Sequence, residues 1–127
     1  MALNEKQKKS WEKTLKELKL MQENDEVEEQ VVANYYEKIF IFKNQVKGNI
    51  LFTKERFVFC NTFGTNNISV SYQDIKAISR CKAGLMSGLT ITIFDSQKNK
   101  DVTYMFTLMH RDNWVMRLEE KTNLTAN

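Results

Sequence analysis

The spacing of apolar residues along the chain changes near residue 29. Before it, Trp11, Leu15 and Leu18 recur at helical intervals in a charged segment that contains neither Gly nor Pro, which predicts an amphipathic helix. After it, apolar and polar residues alternate with the period of β-strands. We therefore divide the chain into an N-terminal charged amphipathic helix, residues 1–28, and a β-rich domain, residues 29–127.

Seven segments of the second part have the alternation and the β-branched and aromatic composition of strands. They lie within residues 31–42, 50–52, 57–59, 68–72, 75–78, 89–93 and 102–108. A charged tetrapeptide at residues 53–56 separates the second segment from the third, which predicts a hairpin. Because the connections are too short for crossover helices, the sequence predicts an antiparallel sheet.

The pattern becomes helical again after Leu108. Trp114 and Leu118 lie one turn apart, and Asp112 is available as the N-cap of this helix. A short amphipathic helix that follows seven strands can plug the open end of a β-barrel and cover exposed edges. We therefore expect a C-terminal helix that buries Trp114 against the barrel.

This order of elements resembles that of pleckstrin-homology (PH) folds. The hairpin is similar to the GRAM-type pattern of the PH-like superfamily, in which a Gly starts the second strand, a Thr opens the turn and an Arg closes it. The matching residues are Gly48, Leu51, Thr53, Arg56, Phe57 and Phe59. Asp74 with Ile75, and the closing stretch 104–120 with its Trp114, also resemble the family.

The resemblance covers residues 29–121. It implies a fold that is mainly β with α, a PH-like seven-stranded antiparallel β-barrel closed by a C-terminal helix and preceded by the N-terminal helix. It also implies a non-catalytic binding module, because PH-like domains variously bind phosphoinositides, other acidic lipids or peptides. Since a fold does not determine a function, the candidate sites have to be argued from their residues.

Four basic residues around the first hairpins are candidates for binding anionic lipid. In lipid-binding members of the superfamily this region holds the head group, and Lys43, Lys47, Lys54 and Arg56 occupy it here. Such a site needs several cations that converge on phosphate, with Arg as a bidentate donor and Lys as a point charge. The alternative is an ordinary solvated surface, in which Arg56 has a structural role.

Two apolar features offer further candidate surfaces. Leu85 and Met86 form a loop tip between two glycines, which either enters a bilayer or a partner, or folds back onto the end of the barrel. The stripe of Trp11, Leu15 and Leu18 has to be buried either on its own barrel or on another chain, and the second case would give a homodimer through the N-terminal helix.

The net charge and the absence of catalytic motifs argue against several classes of function. The net charge of +3 divides into −2 over residues 1–30 and +5 over residues 31–127, a mild excess that favours anionic partners but not nucleic acid. The sequence has no nucleophile or cofactor motif, and His110, Cys60 and Cys81 do not have the spacing of metal ligands. We therefore expect no catalytic residue, no metal and no cofactor.

The chain has neither an apolar run long enough for a membrane span nor an apolar N-terminus of the signal-peptide kind, so we expect a cytoplasmic protein. The leading hypothesis is peripheral association with anionic lipid through the four basic residues, helped by the loop tip. The alternative is protein–protein interaction or self-assembly through the N-terminal helix or a barrel edge. A third class, an apolar ligand inside the barrel, conflicts with the aromatic side chains expected to fill it.

Overall fold

The computed structural model of the protein describes residues 3–39, 42–61 and 66–127. The elements are α1 (Glu5–Glu17), β1 (Val27–Ile39), β2 (Phe42–Thr53), β3 (Arg56–Cys60), β4 (Ile68–Ser71), β5 (Ile75–Ala83), β6 (Met86–Asp95), β7 (Lys100–Leu108) and α2 (Arg111–Thr122). All seven strands belong to one sheet, in the order β4-β3-β2-β1-β7-β6-β5, and every pairing is antiparallel. The prediction of an antiparallel sheet, with one helix before the strands and one after them along the chain, is confirmed.

The hairpin predicted at residues 53–56 is confirmed, and a buried carboxylate secures it. β2 ends at Thr53 and β3 begins at Arg56. The Thr53 hydroxyl donates to Asp25 Oδ2 at 2.6 Å and accepts from the Arg56 backbone N–H at 2.8 Å. Asp25 is buried and also accepts from the Glu26 backbone N–H. The segment after α1 therefore supplies the side chain that fixes this turn.

The sheet is not closed into a barrel, which corrects the expectation of a closed seven-stranded barrel. β4 and β5 lie at its two edges, and no ladder joins them within the described residues. β4 is only four residues long and pairs with β3. The edge of β5 bonds instead to Asn127, which donates to the Ile78 carbonyl and accepts from the Arg80 N–H, both at 2.9 Å. Residues after α2 thus cover the edge that a closed barrel would pair.

The inner face of the sheet and α2 enclose the main core. Its fully buried rings are Phe52, Phe57, Phe59 and Phe106. Trp114 of α2 stacks on Phe52 with ring centroids 5.4 Å apart, so the expected burial of Trp114 by the C-terminal helix is confirmed. These aromatic side chains occupy the interior in which an apolar ligand would have to lie.

α2 begins differently from the prediction. Its N-cap is His110, in the left-handed conformation with a φ of 57°, rather than Asp112. Asp112 lies in the first turn, where its carboxylate accepts from Arg80 Nε at 3.0 Å and from Arg111 Nε at 2.9 Å. A carboxylate at this position interacts favourably with the positive end of the helix dipole. It is not the N-cap because the helix already begins at Arg111, so Asp112 lies inside the helix.

α1 packs on the outer face of the sheet and forms a second, smaller core there. The buried members of this core are Leu3, Leu15, Met21, Val27, Leu51, Val58 and Cys60. Leu15 is fully buried and Trp11 is partly buried, whereas Leu18 remains 41% exposed. Leu15 and Trp11 thus pack on the protein's own sheet, which is the first of the two arrangements that the sequence left open, and Leu18 lies outside this contact.

Gly48 lies within β2 rather than at its start, because the strand begins at Phe42. A Cβ at this position would lie 2.7 Å from a ring carbon of Phe59 and 2.7 Å from the Cys60 carbonyl oxygen. Both distances are shorter than a side chain tolerates, so the close approach of β3 requires glycine here. This role differs from the strand-initiating glycine that the GRAM-type pattern implied.

Candidate functional site

Of the four basic residues predicted to hold a lipid head group, the three whose side chains the structure describes, Lys47, Lys54 and Arg56, do not converge. β2 is longer than the sequence predicted and spans Phe42–Thr53. Lys47 lies six residues before Thr53, the end of β2, which is about 20 Å along a strand that rises about 3.3 Å per residue, and Lys54 follows Thr53. Lys43 lies still further along β2, and its side chain is outside the described part of the chain. The set is therefore too widely spread to bind one phosphate group.

Lys54 and Arg56 have partners within the protein. Lys54 Nζ lies 2.6 Å from Glu26 Oε2, and this hydrogen bond lowers the pKa of the Glu26 carboxyl and raises the pKa of the Lys54 ammonium. Arg56 Nε donates to Ser69 Oγ at 2.7 Å, and the Ser69 hydroxyl donates to the Leu20 carbonyl at 2.6 Å. Arg56 therefore ties β3 to β4 and to the segment after α1, which is a structural role.

Arg56 also borders a polar cleft of about 650 Å³ at the end of α1. Lys16 and Lys19 line the same cleft together with Glu23, whose Oε2 lies 4.0 Å from Lys16 Nζ. The cleft groups Arg56 with residues around the end of α1 and not with Lys47. The structure thus places Lys47 and Arg56 of the predicted basic set on two separate surfaces.

The tip between β5 and β6 projects into solvent. Gly84, with a φ of 61°, and Leu85 connect the two strands. Leu85 is 100% exposed and Met86 is 45% exposed, so Leu85 does not fold back onto the sheet. A single exposed leucine is common in proteins and indicates an interaction site only when it belongs to a larger apolar surface. The neighbouring residues form such a surface.

Met86 and Lys47 meet at an apolar groove of about 370 Å³, which we call the β1–β7 groove. Val32 and Met109, 55% and 71% exposed, also line it. The buried lining residues include Ala33, Thr107, Leu108 and Trp114. Leu85, Met86 and Met109 border the adjoining surface depression, so the tip and the groove are continuous. We call Val32, Leu85, Met86 and Met109 the apolar patch.

The β1–β7 groove exists because β7 pairs with only part of β1. The ladder covers residues 33–36 of β1, although this strand begins at Val27. Beyond the ladder the chain leaves β7 and enters α2, and an ion pair between Arg117 and Glu29 holds α2 beside the unpaired half of β1. The space between that half of β1 and the start of α2 is the groove, with Trp114 lining it.

The charge beside the apolar patch is positive. Lys47 and Lys82 are exposed, and neither forms an ion pair with another residue that the structure describes. The acid nearby, Asp112, is bound by Arg80 and Arg111, and the Arg80 hydrogen bond lowers the pKa of its carboxyl. The groove beside the apolar patch therefore carries the cation Lys47, which no acid of the described residues pairs with, and this favours an anionic partner.

The sequence identified Lys47 and Met86 separately, but it did not identify Val32 and Met109. Val32 follows another valine, and only one of two consecutive strand residues can face the core. Met109 follows Leu108, which is the last residue of the last strand and is buried. A run of apolar residues longer than strict alternation requires is thus the signal that points to both positions.

The described residues contain no group of three or more His, Cys, Asp or Glu residues placed to hold a metal ion. Among the helices that the structure describes, none is long and apolar enough to cross a membrane. His110 lines the β1–β7 groove, where its neighbours are apolar or amide side chains and Lys47.

Comparisons with known proteins identify the fold. No family model and no curated protein matches the chain. The crystal structure of the C-terminal domain of an unknown protein from Leishmania infantum is similar, with a TM-score of 0.69 and 16% sequence identity over 91% of this chain and 97% of that chain. The N-terminal PH domain of Vps36 is similar with a TM-score of 0.56 and 18% identity, over 82% of this chain and 83% of that chain. The sheet, its closing helix and these likenesses together show that the chain has a PH-like fold.

Proposed function

We propose that the protein is a non-catalytic binding module that associates peripherally with anionic membrane surfaces, on the cytoplasmic side, through the tip between β5 and β6. The observation that carries this proposal is the fully exposed Leu85, which is continuous with the rest of the apolar patch. Lys47 lines the groove beside the patch, and Lys82 is an exposed lysine three residues before Leu85 in the sequence. Apolar side chains at the acyl boundary and lysines at the head groups are the two contacts by which peripheral proteins bind.

Both contributions are of useful size. Burying a leucine side chain contributes about 1.5–3 kcal/mol, and each lysine near an anionic surface contributes about 1 kcal/mol. A patch of this composition therefore supports weak, reversible binding that responds to salt. The proposal assigns no lipid contact to Lys54 or Arg56, because Glu26 and Ser69 engage them.

The rival hypothesis, self-assembly through α1, has less support. Leu15, the central residue of the stripe, is fully buried on its own sheet and is inaccessible while α1 remains docked. Within the superfamily, we further propose that Thr53 and Arg56 follow the GRAM-type pattern. This proposal is supported by the positions of Thr53 and Arg56, which lie at the two ends of the hairpin turn.

Vesicle co-sedimentation tests the proposal. We expect the protein to pellet with phosphatidylserine vesicles at low salt, to pellet less at physiological salt, and to remain in solution with neutral phosphatidylcholine vesicles. Leu85→Ser and Met86→Ser should each weaken pelleting by roughly tenfold, the loss of one buried apolar side chain. Met116→Ser is the matched control, because Met116 is an exposed methionine outside the apolar patch.

Charge reversals distinguish the new site from the four-residue set. Lys47→Glu should reduce pelleting with anionic vesicles, whereas Arg56→Glu should leave it close to wild type because Arg56 lies in the separate cleft. Equal pelleting with neutral and anionic vesicles, or pelleting that Leu85→Ser does not change, would overturn the proposal. Absence of pelleting under every condition would also overturn it and redirect attention to a protein partner at the apolar patch.

A further inference from the structure

Thr107 of β7 carries a buried hydroxyl that the protein does not use. Its side chain is fully buried, and Oγ1 has no hydrogen-bond partner in the part of the chain that the structure describes. A buried hydroxyl without a partner is costly, and the large majority of such groups in native proteins are bonded. Thr107 lines the β1–β7 groove, and a rotation of its side chain to another staggered rotamer would turn this buried hydroxyl toward a molecule bound there.

Thr107 belongs to a row of polar residues across three strands. Asn34 of β1 is paired with Thr107 of β7 on one side and with Lys47 of β2 on the other. Directly paired residues of antiparallel strands point to the same face of a sheet, with neighbouring strands about 4.8 Å apart. All three residues line the β1–β7 groove. The row therefore offers a hydroxyl, an amide and an ammonium to one ligand group.

The chemistry of these donors selects the ligand group. Asn and Thr can donate hydrogen bonds, Lys can only donate, and Lys47 has no acidic partner among the described residues. A carboxylate is an acceptor with two oxygens, and its hydrogen bonds to an ammonium are charge-assisted. A carboxylate therefore suits this row better than a neutral or cationic group does.

The remainder of the groove is apolar. Val32, Met86 and Met109 extend from the polar row as exposed walls, and Trp114 lies deeper. The volume of about 370 Å³ is within the range of small-ligand sites. Methionine side chains are flexible and adapt to unbranched chains. The groove thus joins an anion-binding end to an apolar channel.

We propose that the β1–β7 groove binds one long-chain fatty acid. The carboxylate accepts hydrogen bonds from Thr107 and Asn34 and pairs with Lys47, and the acyl chain runs along Val32, Met86 and Met109. This site goes beyond the proposed membrane association and does not depend on it, because a monomeric fatty acid reaches the groove from water. The two sites share Val32, Lys47, Met86 and Met109, so variants of these four residues do not separate them, whereas Leu85 and Thr107 variants do.

Titration of the full chain with sodium oleate, below the concentration at which it forms micelles, tests this proposal. Calorimetry should show saturable binding of one oleate per chain. In a Trp11→Phe background, the fluorescence of Trp114 reports occupation of the groove, because Trp11 belongs to the second core. Methyl oleate, which lacks the carboxylate, should bind at least tenfold more weakly, as expected when a charged acceptor is lost.

Thr107→Val is the decisive variant. It removes the hydroxyl and keeps the shape, so the urea midpoint should stay the same or rise, since an unpaired buried polar group disappears. Oleate affinity should nevertheless fall roughly tenfold, the change expected for a lost hydrogen bond to a charged group. Thr90→Val is the matched control, because Thr90 lies on β6 outside the groove. Lys47→Met should weaken oleate binding in the same way as Thr107→Val.

The outcomes are distinct from those of the vesicle experiment. Leu85→Ser should weaken vesicle binding by roughly tenfold and leave oleate affinity within about twofold, because Leu85 does not line the groove. Thr107→Val should lower oleate affinity roughly tenfold and leave vesicle binding unchanged. Absence of saturable oleate binding, or equal affinity in Thr107→Val and Thr90→Val, would overturn the fatty-acid proposal while leaving membrane association standing. Preferential binding of an apolar peptide with a free C-terminal carboxylate, without oleate binding, would also overturn it.

Discussion

The Tyr72 hydroxyl lies beneath the turn between β2 and β3 and donates to the Thr53 carbonyl at 2.7 Å. Burial is the main cause that raises the pKa of Tyr72 well above its ordinary value of 10.0, and the nearby carboxylates of Glu28 and Asp25 add to the effect. The unfolded chain therefore releases this proton before the folded protein does. The contribution to stability is complete below about pH 10 and is lost as the pH rises above it.

We predict that Tyr72→Phe changes the alkaline limb of the stability curve. Near pH 7 the variant should lose about 1 kcal/mol, the value of one hydrogen bond. Above pH 10 its free energy of unfolding should fall less steeply than that of the wild type, because one of the tyrosines with a raised pKa is gone. Urea denaturation across this pH range measures both effects. Tyr36→Phe is the control, and parallel curves for Tyr72→Phe and the wild type would contradict the prediction.

α1 depends on packing against the sheet more than on its own helical tendency. The helical spacing of its stripe was readable from the sequence, and so was the apolar character of Leu51 and Val58 on the outer faces of the hairpin. Together these two features match the second core. The sequence could not select this arrangement, because an outer apolar face can equally be covered by another chain.

We predict that two leucines of this stripe, three residues apart, contribute very differently to stability. Leu15→Ala should lower the free energy of unfolding by about 2–5 kcal/mol, since it leaves a cavity in a fully packed site. Leu18→Ala should change it by less than about 1 kcal/mol, because its side chain is substantially exposed. Urea denaturation measures both values. Equal losses would mean that α1 is not docked as described.

The candidate site was harder to predict than the strands around it. Segments such as residues 89–93 were predicted because alternation is local and a strand buries one face. The first half of β2, with Asn44, Gln45 and Lys47 exposed, lacks that alternation and was not assigned to a strand. This error made Lys43, Lys47, Lys54 and Arg56 appear close in space. The β1–β7 groove depends on where β7 ends relative to β1, which is a non-local property.

At the scale of the whole molecule, an open sheet has to protect its two edges. β4 is short, and its Ser69 hydroxyl bonds to the segment after α1. β5 is covered by residues 124–127, an extended stretch in which Leu124 and Ala126 pack against the main core. Exposed edges template aggregation. The packing of this stretch is therefore what substitutes for barrel closure.

We predict that Leu124→Ala loosens this cover and exposes the edge of β5. The variant should lose roughly 1–2 kcal/mol, less than a fully buried leucine, because Leu124 is half-buried. The Arg80 amide donates to the Asn127 carbonyl, so its hydrogen exchange should accelerate about tenfold or more if local opening becomes 1.4 kcal/mol easier. Thr125→Ala is the matched control, since Thr125 is exposed between two packed neighbours. If both variants leave the Arg80 amide equally protected, the main-chain bonds alone hold the edge and the packing of Leu124 does not contribute.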